Sequence, residues 1–63
     1  MNNTETYLLH DARRLQIKVA VFMINGFKLT GYISSFDENT IELVDEDGNR
    51  KLLYKHAIST INF

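Results

Sequence analysis

The chain has no cysteine, no proline and no tryptophan, only three glycines and two histidines, and a net charge of −1. Without cysteine there are no disulfides, no zinc fingers and no thiol redox chemistry. His10 and His56 are too few and too far apart in sequence for an obvious metal cage. The longest apolar run, Val19-Ala20-Val21-Phe22-Met23-Ile24, is far shorter than the roughly 20 residues of a membrane span. No N-terminal segment joins basic residues to a long apolar stretch, so no secretory signal is expected and a cytoplasmic location is the default. The low net charge argues against binding nucleic acid by wholesale phosphate neutralisation.

What is present is one small domain, expected to fill residues 1–63 with no C-terminal tail. A chain of this size buries only roughly 60% of the surface its unfolded form exposes, so its core is marginal and a staple is needed. With disulfides and zinc excluded, association with further copies of itself is the staple that remains. Charge is unevenly placed: Arg13, Arg14, Lys18 and Lys28 lie in the front half, whereas Asp37, Glu38, Glu42, Asp45, Glu46 and Asp47 follow with no basic residue among them.

Residues 4–16 read as a helix. Leu8, Ala12 and Leu15 fall at i, i+4 and i+7 with Leu9 beside them, Thr4 suits the N-cap, and Arg13 and Arg14 suit the negative end of the dipole. From Ile17 the period changes to two. Asn25-Gly26 then signals a hairpin, since both residues tolerate positive φ. The return strand places Phe27, Leu29 and Ile33 on one face, with Gly31 allowing a bend or bulge. Thr40 to Val44 turns Ile41 and Leu43 inward, Asp47-Gly48-Asn49 makes a turn, and Arg50–Tyr54 and Ile58–Phe63 complete five strands. A helix followed by five short strands predicts a small, strongly bent, mainly β barrel. Its edge strands, Arg50–Tyr54 and Ile58–Phe63, invite pairing with neighbouring copies.

Enzyme chemistry is poorly represented. Asp37, His56 and Ser59 are the residue types of a hydrolytic triad, but no Gly-x-Ser-x-Gly elbow accompanies them. The glycines are isolated, so no phosphate loop exists. Asp45-Glu46-Asp47-Gly48 resembles a calcium-loop fragment but lacks the later ligands. No catalytic residue and no cofactor are expected.

The informative stretches are Asn25-Gly26-Phe27-Lys28-Leu29-Thr30-Gly31, Ser35-Phe36-Asp37 and Tyr54-Lys55-His56-Ala57-Ile58-Ser59-Thr60. They resemble the Hfq family, the bacterial Sm-like RNA chaperones; Tyr-Lys-His separates this branch from other Sm proteins. The resemblance implies an N-terminal helix on a bent five-stranded Sm-like (SH3-like) barrel, joined into a hexameric ring through its fourth and fifth strands. It implies a post-transcriptional regulator that binds single-stranded RNA and promotes pairing of small RNAs with messages, with no membrane partner.

Carried over by position, Lys55 and His56 match the pore site for uridine-rich RNA on the proximal face. There the family's stacking aromatic is replaced by Asn39, its neighbour is Glu38, and the helix glutamine corresponds to Glu5. Phe22, Met23, Asn25, Gly26, Phe27, Leu29, Thr30 and Thr60 match the distal purine pockets, with Lys51 where many members have glutamine. Arg13 and Arg14 match the rim patch, and equally suit the plain role of closing a helix. Asp37, Tyr54 and Ile58 match subunit-interface positions. Glu38, Asn39 and the acidic hairpin also fit a second reading, a divergent paralogue with weak RNA binding that works through protein contacts or mixed rings.

Overall fold

A computed structural model of the chain describes residues 3–63, with side chains from Tyr7 onward. The expected roles of the Thr4 and Glu5 side chains therefore lie outside the described residues. Helix α1 (Asn3–Arg14) precedes strands β1 (Val19–Met23), β2 (Lys28–Phe36), β3 (Thr40–Val44) and β4 (Arg50–Tyr54), a 3-10 turn (Lys55–Ala57), and β5 (Ile58–Asn62).

The helix ends earlier than its apolar spacing predicts. Gln16 adopts a left-handed φ of 52°. Its N–H donates to the Arg13 carbonyl (3.3 Å) and the Ile17 N–H donates to the Ala12 carbonyl (3.0 Å). This is the double closure of a Schellman motif, with glutamine where glycine is usual. Leu15, whose N–H donates to the Asp11 carbonyl (2.9 Å), ends the last turn just before Gln16 and is 55% exposed, and Leu8 is 43% exposed. The buried stripe is Leu9 and Ala12, the i, i+3 pair, and it docks on β2. Ile17, expected at the start of the first strand, lies outside it and is exposed.

The strands form one antiparallel sheet in the order β4-β3-β2-β1-β5. It is strongly bent because β2 serves two partners in succession. Its first half pairs with β1 (Phe22↔Lys28 to Val19↔Gly31) and its second with β3 (Tyr32↔Val44 to Phe36↔Ile41). Gly31 stands at the changeover. A Cβ there would lie 2.5 Å from the Val44 carbonyl oxygen, so β3 can approach only a glycine. The bulge itself falls three residues later, where Ser34 is skipped between the Ile33 and Ser35 pairs. Val19, Val21, Ile33, Ile41, Leu43 and Leu53 join Leu9 and Ala12 in the core.

Bending does not close the sheet. β4 and β5 each have a strand neighbour on one side only, and Leu52 and Tyr54 of β4 are more than half exposed.

Both hairpin turns have three-residue loops. Met23 and Phe27 close the first, around Ile24-Asn25-Gly26; Asp45 and Asn49 close the second, around Glu46-Asp47-Gly48. Only the glycines take positive φ, 95° at Gly26 and 84° at Gly48. Asn25 does not, contrary to the two-residue turn expected of Asn-Gly. A three-residue loop with one left-handed glycine accommodates the strand twist as well.

Candidate nucleic-acid interface

Phe36 sits at the end of β2 and collects three side chains. The His10 ring forms a T-shaped pair with it, centroids 4.9 Å apart and planes at 75°. The Arg13 guanidinium lies 5.6 Å from the ring centroid and the Lys55 ammonium 5.8 Å. Helix, sheet and 3-10 turn are thus joined around one half-buried aromatic, with two cations beside its π cloud. Sequence reasoning used Phe36 only as part of a motif and gave His10 no role. Nothing in their spacing showed that the helix would lie over the end of β2.

The turn after Phe36 is built by Asp37. One carboxylate oxygen accepts from the N–H groups of Asn39 and Thr40, each at 2.8 Å, and from the Thr40 hydroxyl at 3.0 Å. The two backbone bonds, with the hydroxyl next, hold the Asp37 carboxyl below its ordinary pKa. Asn39 passes the order on, its carbonyl accepting the Lys55 N–H at 2.8 Å. Phe36, Asp37, Glu38 and Lys55 consequently line a shallow pocket of about 220 Å³. It places two carboxylates beside one ammonium. His56 is exposed and its ring tilts against Tyr54 at 5.9 Å. Among the described residues no hydrogen bond joins Asp37, His56 and Ser59, and the Asp37 carboxylate serves its own turn.

The residues assigned to purine pockets divide in two. Lys28, Phe22 and Thr60 are register neighbours across β2, β1 and β5, forming one row on one face, with the Lys28 ammonium 5.7 Å from the Phe22 ring. Thr30 is exposed two residues along β2 from Lys28, on the same face. Met23 and Leu29 instead pack against the core. Asn25 and Gly26 hold the hairpin tip: the Asn25 side-chain oxygen accepts the Phe27 N–H at 3.1 Å, and the adjacent Ile24 N–H donates to the Ala57 carbonyl at 2.9 Å. That bond moors the tip to the 3-10 turn and leaves Phe27 68% and Ile24 67% exposed. Lys51 lies on β4, separated from β1 by β2 and β3, so one chain does not bring it to the Phe22 row.

Of the rim pair, Arg13 faces Phe36, while Arg14 makes an exposed ion pair with Asp11 at 3.3 Å. Tyr54 is exposed on the β4 edge, and Ile58 is half-buried on β5 against the core.

Comparisons with known proteins agree with this fold. The model of the Hfq protein family matches residues 5–63. The chain is 44% identical over 62 residues to the RNA-binding protein Hfq of Clostridium botulinum, covering 98% of this chain and 72% of that one. It is also 44% identical over 59 residues to the RNA-binding protein Hfq of Alkaliphilus metalliredigens, covering 94% and 72%. A 1.55 Å crystal structure of the pleiotropic translational regulator Hfq superposes with a TM-score of 0.91 at 36% identity, covering 97% of this chain and all of that one. A family match across nearly the whole chain, joined to this fold, makes the chain a member of the Hfq family.

Proposed function

We propose that the chain assembles into a ring, hexameric on the family pattern, that binds single-stranded RNA by stacking and pockets without covalent chemistry. The observation that carries this reading is the distribution of one residue set over two open edges. Phe22 and Thr60 end their row at the β5 edge, whereas Lys51 stands on β4 at the other. Pairing β4 of one copy with β5 of the next brings Lys51 of one chain toward the Phe22 row of its neighbour. The same pairing covers Leu52 and Tyr54, and it enlarges a core too small to stand alone.

Within this reading the two RNA sites are unequal. The hairpin side offers exposed Phe27 and half-buried Phe22, and stacking on an aromatic is worth about 1–3 kcal/mol per base. The Lys55 site has Asn39 where a ring would stack and Glu38 beside the phosphate path, so purine-rich RNA binds better than uridine-rich RNA.

Native mass measurement with and without oligo-A and oligo-U tests the assembly and the preference together. A stable monomer at micromolar concentration overturns the ring, and oligo-U binding as tight as oligo-A overturns the asymmetry. Phe27→Ala is expected to weaken oligo-A binding at least as much as one lost stack, about 1–3 kcal/mol, and more than Lys55→Ala weakens oligo-U. Asn39→Tyr is expected to tighten oligo-U and leave oligo-A unchanged.

A further inference from the structure

We propose that Asn25-Gly26, at the tip of the first hairpin, is a self-modification site. The Asn25 amide is lost there to give aspartate or isoaspartate, and the change lowers the affinity of that face for RNA. The loss of the amide follows from the loop alone; its effect on binding rests on the RNA-binding reading above.

Asn25 is the only asparagine in the chain followed by glycine, so the next peptide nitrogen has no side chain beside it as a shield. Both residues are exposed. Nothing lies within 4 Å of the position a Gly26 Cβ would take, which leaves room for a cyclic imide and for water.

The loop also prepares the side chain. Asn25 Oδ1 accepts the Phe27 N–H at 3.1 Å, an Asx turn that folds the side-chain carbonyl back along the following peptide. The Gly26 nitrogen, the attacking atom, belongs to that peptide. The oxygen on which charge develops during attack already has a donor. What holds the site shut is the Gly26 N–H, which donates to the Met23 carbonyl at 3.0 Å. One exposed hydrogen bond is a weak lock.

The second hairpin is the internal contrast. Its tip, Asp47-Gly48, has the same glycine bond, to the Asp45 carbonyl at 3.0 Å. There the Asn49 N–H is taken by Asp45 Oδ1 at 2.9 Å, and a carboxylate is a poorer electrophile than an amide. The two loops share a backbone, and the chemistry is confined to the first.

When the lock opens, the Gly26 nitrogen gives its proton to solvent base and its electron pair forms a bond to Asn25 Cγ. The Cγ–Nδ2 bond breaks, and the amide nitrogen takes a proton from water and leaves as ammonia. Water then opens the imide. Cleavage at the Cγ carbonyl leaves aspartate, whereas cleavage at the Asn25 backbone carbonyl leaves isoaspartate, with the chain running through the side-chain carbon. Aspartate sets a carboxylate between Ile24 and Phe27, where it repels a phosphate backbone. Isoaspartate lengthens the loop and works against the bond from the Ile24 N–H to the Ala57 carbonyl, 2.9 Å.

The test is incubation of the assembled protein at mildly alkaline pH, with peptide mass mapping and oligo-A and oligo-U anisotropy at intervals. Asn25 is expected to convert several-fold faster than Asn39, Asn49 and Asn62, to give both products, and to be slowed by saturating oligo-A. Oligo-A affinity should fall in step with conversion while oligo-U affinity holds. Asn25→Gln, whose longer side chain closes the ring poorly, should keep on ageing whatever oligo-A affinity it has when fresh. Asn25→Asp should weaken oligo-A several-fold from the outset, and less so at high salt. Conversion no faster than at the other three asparagines overturns the site, and conversion with unchanged oligo-A affinity overturns its effect. Fresh protein that binds no oligo-A yet converts at Asn25 overturns the RNA-binding reading and leaves the modification site standing.

Discussion

The two hairpin loops have one backbone and opposite surfaces. In each, the first closing residue donates to the last, Met23 to Phe27 at 2.8 Å and Asp45 to Asn49 at 3.0 Å, and the loop glycine donates back to the first at 3.0 Å. Each also uses a side-chain oxygen to hold N–H groups of the turn, Asn25 in the first and Asp45 in the second. What they present differs completely. The first lifts Ile24 and Phe27 into solvent; the second carries Glu46 and Asp47 and pairs Glu46 with Lys18. A left-handed glycine and a short polar side chain are enough to set the chain path. The remaining residues are then free to serve as an apolar platform or an acidic tip.

The comparison is sharpest when the loop glycines are set against Gly31. At Gly31 a Cβ collides with backbone of β3, and Gly31→Ala should lose about 3 kcal/mol of stability, read as a collapse of the thermal transition. At Gly26 and Gly48 nothing lies within 4 Å of an added Cβ, so only the positive φ is strained. Alanine at either should cost about 1 kcal/mol, and the two losses should match in parallel melts. Unequal losses would break the equivalence of the turns.

Acid should separate the loops next. The Asn49 N–H, and after it lesser bonds, hold the Asp45 carboxyl below the ordinary carboxylate range. A carboxyl lowered on folding contributes stability that is present above its unfolded pKa and is lost as pH falls through the folded value. Tm should therefore fall below about pH 4 in part through Asp45, and Asp37, held down by the N–H groups of Asn39 and Thr40, adds to the same loss. Asp45→Asn keeps the acceptor but cannot titrate, so it should flatten this part of the Tm–pH curve. Asn25 has no such dependence.

The smallest effect belongs to the Lys18–Glu46 pair. Each partner favours the charged form of the other, raising the lysine and lowering the glutamate, yet both side chains are well exposed. Exposed pairs contribute little and are screened by salt. Glu46→Gln should shift Tm detectably only at low ionic strength.

Much of the architecture was legible in the residues. The change of period after the helix, the inward positions Ile41 and Leu43, and both edge strands came from alternation and turn chemistry. Leu15 fits the helical period but is exposed, because it is the last residue before the Schellman closure at Gln16, which depends on a glutamine accepting a glycine conformation. The 3-10 turn at Lys55–Ala57 was not anticipated either. It is held from outside, by the Asn39 carbonyl at one end and the Ile24 N–H at the other.

By itself the sequence determined the local features: one helix, five strands, glycines at the turns, no disulfide or zinc staple, and motifs specific enough to indicate a family. Tertiary structure alone decided what meets across distance. It placed His10, Arg13 and Lys55 around Phe36, and left Phe27 outside the core while Leu29 went in. Periodicity reports which side of an element is apolar. Which elements then face one another depends on where β2 changes partners, and that is set by the space a missing Cβ leaves at Gly31.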